Sequence, residues 1–284
     1  MRKSKYLRIM KTRLAFFILT LLLTRALAQE EAKSPVPTEA PDITASLVSE
    51  TVLDAEEFVG ADELGNLFYM ENQVFYRKSG QRIFSFSNVD LGAITEVDTG
   101  NPFKILLFYR DFNSVILLDN NLNELSERLD FTGETQFNNV LFAGNSSQNN
   151  IWLYADDNKL HLYNYETLSE ELQTQAMTFY QDDFRALSLA SSFKRVWIQS
   201  ETETLEFNEY GNYVRTYPTS GAEQILPFQK GILMLKEGAF EYFFEDERRT
   251  VLLDYKGTLK KVSVSGSSLF IYDGKKVSQY QLRL

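Results

Sequence analysis

The chain's one histidine, His161, stands four residues after Asp157 and five after Asp156, in "NIWLYADDNKLHLYN" (150–164). An imidazole within reach of a carboxylate is the core of much acid–base catalysis and of many metal sites. The local pattern points elsewhere. Alternation with a period of two places His161 between Leu160 and Leu162 on a strand, facing away from both. It is therefore expected to be a partly exposed strand residue. Asp156 and Asp157 fall in the preceding turn, where Asp and Asn supply local hydrogen bonds. Equivalent turns hold Glu71 and Asn72, Asp111 and Asn113, and Asp273 and Gly274.

The other chemistry-bearing residues narrow the field. No cysteine is present, which excludes Cys–His nucleophiles and disulfides. A Ser–His–Asp triad would have to use the His161 strand position. Zinc sites built from Cys and His are excluded by count. Acidic turns such as "QDDF" (Asp182, Asp183) and "FEDE" (Glu245, Asp246, Glu247) lack the alternating Asp/Asn-then-Gly pattern of a calcium loop and read as solvated turns. A carboxylate pair for glycoside hydrolysis stays open, because with 39 acidic residues spacing singles out no pair. Trp152 and Trp197 lie inside apolar runs and are expected in the core. "NSS" at Asn145 is an N-glycosylation sequon, relevant only in a eukaryotic host. No catalytic, cofactor-binding or metal-binding residue is assigned, and the chain is not expected to be an enzyme.

One segment stands apart. "GNPFKILLFYRDFNS" (100–114) has the longest apolar run, a proline near its start, and Lys104 and Arg110 in an otherwise acidic chain. It is expected to be the best-packed central strand, with an interaction surface as the other reading.

The elements that carry these residues come from a repeat. Residues 1–28 read as a secretory signal peptide: six basic residues up to Arg13, the apolar run "LAFFILTLLL", then "ALA" before Gln29. The apolar run is half the length a membrane span requires, so cleavage near Ala28 is expected and no stable membrane insertion afterwards. Met10 is an alternative start. The absence of cysteine excludes a lipid-modified cysteine after the signal. Removing residues 1–28 takes away seven basic residues and no acidic one, moving the formal charge from −10 to −17. Such a surface repels phosphate backbones, so nucleic acid is not an expected partner. Residues 29–42 hold three of the six prolines and read as an extended acidic linker.

From residue 43 to 284 a hairpin-like unit recurs six times, as in "NLFYMENQVFYRKSG" and "SLFIYDGKKVSQYQL". Its first apolar anchors are Leu67, Leu106, Ile151, Val196, Ile232 and Leu269, spaced 36 to 45 residues apart. Candidate inner strands precede the hairpins ("AITEVDTG", "FRALSLASS") and outer strands follow most of them ("RIFSFSN", "YVRTYP"). Consecutive apolar positions, as in "ILLFY" and "IWLY", suit strands covered on both faces. Two stretches, 121–129 and 164–175, read either as helices or as a turn plus an outer strand. The sixth unit ends without an outer strand, while "DITASLVSETVL" (42–53) precedes the first unit with no repeat of its own. It is expected to pair onto the last unit and close the ring, covering sheet edges that would otherwise template aggregation.

A period near 40 with four short strands per repeat resembles the β-propeller repeat proteins over residues 43–284. No named blade signature is present, so the resemblance implies a six-bladed all-β fold and a platform or central-channel role, and transfers no functional residue. The function expected is that of an exported, non-catalytic scaffold in the bacterial periplasm or cell envelope, with a protein partner and no cofactor. The alternative is a glycan-binding or glycan-hydrolysing propeller with carboxylates around its channel. Three or more carboxylates converging on one pocket beside exposed aromatics would favour the second. An apolar plug with an apolar patch elsewhere would favour the first.

Overall fold

A computed structural model describes residues 42–132, 139–245 and 247–283. The expected signal peptide and nearly all of the linker lie outside these residues. The described residues are strand and turn throughout, with two short 3-10 turns among them at Arg110–Phe112 and Met177–Phe179.

After a leading strand β1 (Ile43–Val52), strands follow in fours. The first unit is β2 (Glu57–Ala61), β3 (Leu67–Glu71), β4 (Val74–Ser79) and β5 (Arg82–Phe86). The second is β6 (Glu96–Asp98), β7 (Ile105–Tyr109), β8 (Ser114–Leu118) and β9 (Leu129–Asp130). The third is β10 (Val140–Asn145), β11 (Asn150–Ala155), β12 (Leu160–Asn164) and β13 (Ser169–Gln173). The fourth is β14 (Ser188–Ser192), β15 (Arg195–Gln199), β16 (Glu203–Asn208) and β17 (Tyr213–Pro218). The fifth is β18 (Gln224–Phe228), β19 (Gly231–Lys236), β20 (Ala239–Phe244) and β21 (Glu247–Leu252). The last holds β22 (Lys261–Ser265), β23 (Ser268–Tyr272) and β24 (Lys276–Arg283). Each is an antiparallel meander.

β1 supplies the missing fourth strand of the last unit. It runs antiparallel to β24 from Thr44 to Val52, with a bulge at Val48, and touches β21 in parallel only at Ile43 and Thr44. That short parallel bridge joins the fifth and sixth units into one eight-stranded sheet.

Apolar seams hold successive units together around the ring. Phe68 and Leu107 share the first seam, Phe108 and Leu153 the second, and Trp152 and Ile198 the third. Trp197 and Ile232, Leu235 and Ile271, and Phe270 and Phe58 mark the others. β11 shows why consecutive apolar residues are needed. Ile151, Leu153 and Ala155 fill the seam on one side, and Trp152 and Tyr154 the seam on the other. Burying a large aromatic side chain this way contributes about 2–3 kcal/mol.

The segments 121–129 and 164–175 are not helical. The second is a turn followed by β13, and this overturns the expected exposure of His161, which is only 4% exposed. β13 pairs along β12 and brings Glu170 across the imidazole. The turns between second and third strands place Asn72, Asn113, Asn158 and Gly274 at positive φ, a backbone state that Asn and Gly tolerate best.

Candidate functional site

The His161 cluster comes first because its residue types promise most. Nε2 lies 3.1 Å from Asp157 Oδ1, and Nδ1 lies 3.4 Å from Glu170 Oε1. The three side chains tie a turn and an outer strand to the middle of the third unit. None of them lines the central cavity. Asp156 accepts a hydrogen bond from Asn139 Nδ2. Trp152 and Trp197 are buried in the seams. Among the described residues no group of three His, Cys, Asp or Glu side chains gathers as a metal site would require.

The central cavity has a volume of about 850 Å³ and is lined by the six innermost strands and their adjoining turns. Small residues stand where those strands approach one another, as at Gly60 beside Ser263 and Gly144 beside Ser191. A Cβ at Gly144 would sit 2.5 Å from Leu189 Cδ2 and 3.0 Å from Ser191 Oγ, so glycine lets β14 approach β10. Innermost strands pair on one side only, so N–H groups on their free edges need partners. Two carboxylates on β6 meet that need. Asp98 Oδ2 accepts from the Asn145 N–H at 2.8 Å and from Ser191 Oγ at 2.7 Å, while Oδ1 accepts from the Gly100 N–H at 2.8 Å. One side chain thus links the second, third and fourth units.

Glu96, two residues earlier, faces the same way. It accepts from Arg110 Nη2 at 2.6 Å. Burial pushes its carboxyl up from 4.5 to about 7, against the Arg110 charge and a hydrogen bond from the Ala143 backbone. Arg110 also donates from Nε to Leu141 O at 3.0 Å and lies over the Phe142 ring at 5.1 Å.

At the other end of β7, Lys104 is 4% exposed. Its Nζ donates to the carbonyls of Ser146, Gln148 and Asn150 at 3.0, 2.8 and 2.8 Å, and the Tyr165 ring lies 5.3 Å away. Three N–H donors meet three acceptors, so the ammonium is fully used. Burial lowers its pKa to about 8, with the Asp98 charge opposing. The adjacent Phe103 is 71% exposed, in a turn closed by Phe103 N–H to Asn101 Oδ1 and Lys104 N–H to Asn101 O.

In an antiparallel meander the turns between first and second strands share one end. Two of them meet: Gly266, in the turn after β22, leaves no room for a Cβ beside Glu63 Oε1 in the turn after β2. Leu64 (83% exposed), Phe103 and Phe193 (63%) all belong to these inner turns. The inner turns at one mouth of the channel therefore expose large apolar side chains, of which Phe193 also lines the cavity. The sequence reading marked 100–114 as unusual but did not foresee that Phe103 faces out while Lys104 turns in.

Sequence reasoning also missed Glu206. It is fully buried, accepts from Tyr217 Oη at 2.5 Å, pairs with Arg195, and lies 3.7 Å from Arg215 Nε. Its only sequence signal is a charge between the seam residues Leu205 and Phe207, opposite Arg215 across the sheet.

A closed ring of four-stranded meanders around a polar channel defines a β-propeller. Solved structures agree on the fold. Virginiamycin B lyase from Staphylococcus aureus is similar with a TM-score of 0.56 and 9% identity, covering 88% of this chain and 97% of that one. The WD40 domain of Neurospora crassa Pan2 gives 0.52 and 12%, covering 80% and 74%. A chain of the mitotic checkpoint complex gives 0.50 and 10%, covering 83% and 94%. No family model matches the chain, and neither does any curated protein.

Proposed function

We propose that this chain is an exported, non-catalytic propeller that offers the inner-turn mouth to a protein partner. The observation that carries this reading is Phe103. An exposed aromatic held by a tight turn, next to a lysine spent on three carbonyls, is pre-organised for contact and loses little freedom on binding. Leu64 and Phe193, on the inner turns of the first and fourth units, expose apolar side chains at the same mouth. Export to a bacterial envelope or beyond rests on the composition of residues 1–28. The similar structures include a lyase and a member of a multiprotein complex, so the fold favours neither enzyme nor scaffold.

The cavity meets the two expectations halfway. Glu57, Glu63, Glu96, Asp98 and Glu223 line it, with Phe142 and Phe193. However, Asp98 and Glu96 are engaged by backbone N–H groups, Ser191 and Arg110. That engagement weighs against a glycan-hydrolysing site. The raised Glu96 carboxyl is the observation that keeps it as the second reading.

A photocrosslinking amino acid at position 103 or 193, expressed in the native host, tests the proposal. Val89, 92% exposed between β5 and β6 at the opposite end, is the control. Adducts at 103 and 193 but not at 89 are expected. Adducts only at 89 would overturn the assignment of the mouth. Hydrolysis of a polysaccharide panel that is lost in Glu96→Gln would replace it with the glycosidase reading.

A further inference from the structure

We propose that the inner-turn mouth receives a chain segment carrying a basic side chain between apolar ones. The base enters beside Glu63, and its apolar neighbours cover Leu64, Phe103 and Phe193. This deepens the platform reading and rests on it.

The charge of the channel selects the partner. Five carboxylates line it against two cations, Arg110 and Lys261. Three of the five are engaged within the fold. Asp98 accepts three hydrogen bonds, and Glu96 is paired with Arg110. Glu223 accepts the Glu237 N–H. Glu63 has no ion pair or hydrogen bond among the described residues, and it sits at the apolar mouth, one residue before Leu64. Glu57 opens β2 and Lys261 opens β22, so both lie toward the opposite end of the channel. An incoming Lys or Arg therefore meets an uncompensated carboxylate, with the Phe193 ring on the cavity wall as a further surface for a cation. An incoming Asp or Glu meets only repulsion there, and like charge at an interface is strongly selected against. The cavity of about 850 Å³ is large enough to admit one such side chain.

Apolar contact alone would leave the sign of the partner undefined. The neighbouring pair Glu63 and Leu64 fixes it, because one residue prefers a cation and the next prefers a hydrocarbon. Steering by the acidic chain would also speed the encounter with a basic segment at low salt.

Fluorescence anisotropy with two labelled octapeptide pools tests this. One pool is composed of Leu, Phe, Lys and Arg, and the other of Leu, Phe, Asp and Glu. The basic pool is expected to bind at least tenfold more tightly, with the advantage shrinking as salt rises. Glu63→Gln should cut that advantage severalfold, and Phe103→Ala should weaken binding of the basic pool. Glu63 is exposed and has no hydrogen bond or ion pair to lose among the described residues, and Gln keeps its shape beside Gly266, so the variant is expected to fold. Equal binding of the two pools, or no response to Glu63→Gln, overturns the charge assignment. The platform reading survives that result if Phe103→Ala still weakens binding. Binding of neither pool, or no effect of Phe103→Ala, removes both.

Discussion

β7 carries a cation at each end, and the two ends use it in opposite ways. At the inner-turn end Lys104 points inward, gives its three donors to carbonyls of the next unit, and leaves Phe103 in solvent. At the far end Arg110 stays half exposed, lies on Phe142 and neutralises Glu96, so aromatic, cation and carboxylate satisfy one another. The second end is closed on itself. The first hides its polar groups and displays an apolar one. Exposed apolar area alone does not separate the ends, since Val89 and Phe179 are exposed on the other side. What separates them is whether the displayed group is held by a buried anchor.

The sharpest way to break this contrast is to remove the anchor. Lys104→Met keeps most of the stem and deletes the ammonium, leaving three carbonyls without their donor. Each buried polar group left unsatisfied costs about 1–3 kcal/mol, with some relief from water. A net loss of about 3 kcal/mol is expected, roughly 10 °C in Tm for a domain of this size. Urea and thermal unfolding check it. A change under about 1 kcal/mol would show that the turn holds its shape without Lys104, and the distinction between the ends would fall.

Much of this architecture is legible in the sequence. The anchors Leu67 to Leu269 mark the repeat because every unit buries a strand on both faces, which forces consecutive apolar residues. The closure by residues 43–52 was legible because one unit lacked a strand and one strand lacked a unit. The site was far less legible. Glu96 and Asp98 look like any other acidic pair, and their task depends on N–H groups of β10 some 47 residues further on. His161 reads as half exposed until β13 folds over it. Glu206 is a charge in a seam, and two arginines and a tyrosine across the sheet explain it. In each case the partner is distant in sequence and set by ring geometry, which periodicity does not encode.

A second measurement probes the closed end. Glu96 titrates at about 7 in the folded protein and at 4.5 when unfolded. Between these values the folded state holds a proton that the unfolded state has lost, so this group's contribution to stability falls as pH rises from about 4.5 to 7. Glu96→Gln cannot titrate and should flatten that slope. Relative to the variant, the wild type is expected to lose about 1–2 kcal/mol between pH 5 and pH 7.5, below the full linkage value because the Glu96 side chain keeps some contact with channel water. Paired urea midpoints at the two pH values give the difference. Parallel slopes would mean that Arg110 keeps Glu96 ionised throughout, and the far end would then be a plain ion pair.

The smallest expected effect is the most discriminating. Phe103→Ala removes a large side chain, yet at 71% exposure that side chain contributes little to folding. Stability should change by less than about 0.5 kcal/mol, as for most surface positions. A phenylalanine in any seam would cost about 3–5 kcal/mol on the same substitution. Unfolding of Phe103→Ala beside Phe108→Ala makes the comparison within one hairpin, since Phe108 on β7 is fully buried. A near-zero effect at 103 with a large one at 108 leaves Phe103 with no structural reason to be aromatic, and binding is then the role its exposure serves. A cost above about 1.5 kcal/mol at 103 would instead make it a packing residue, and the inner-turn mouth would lose an exposed aromatic.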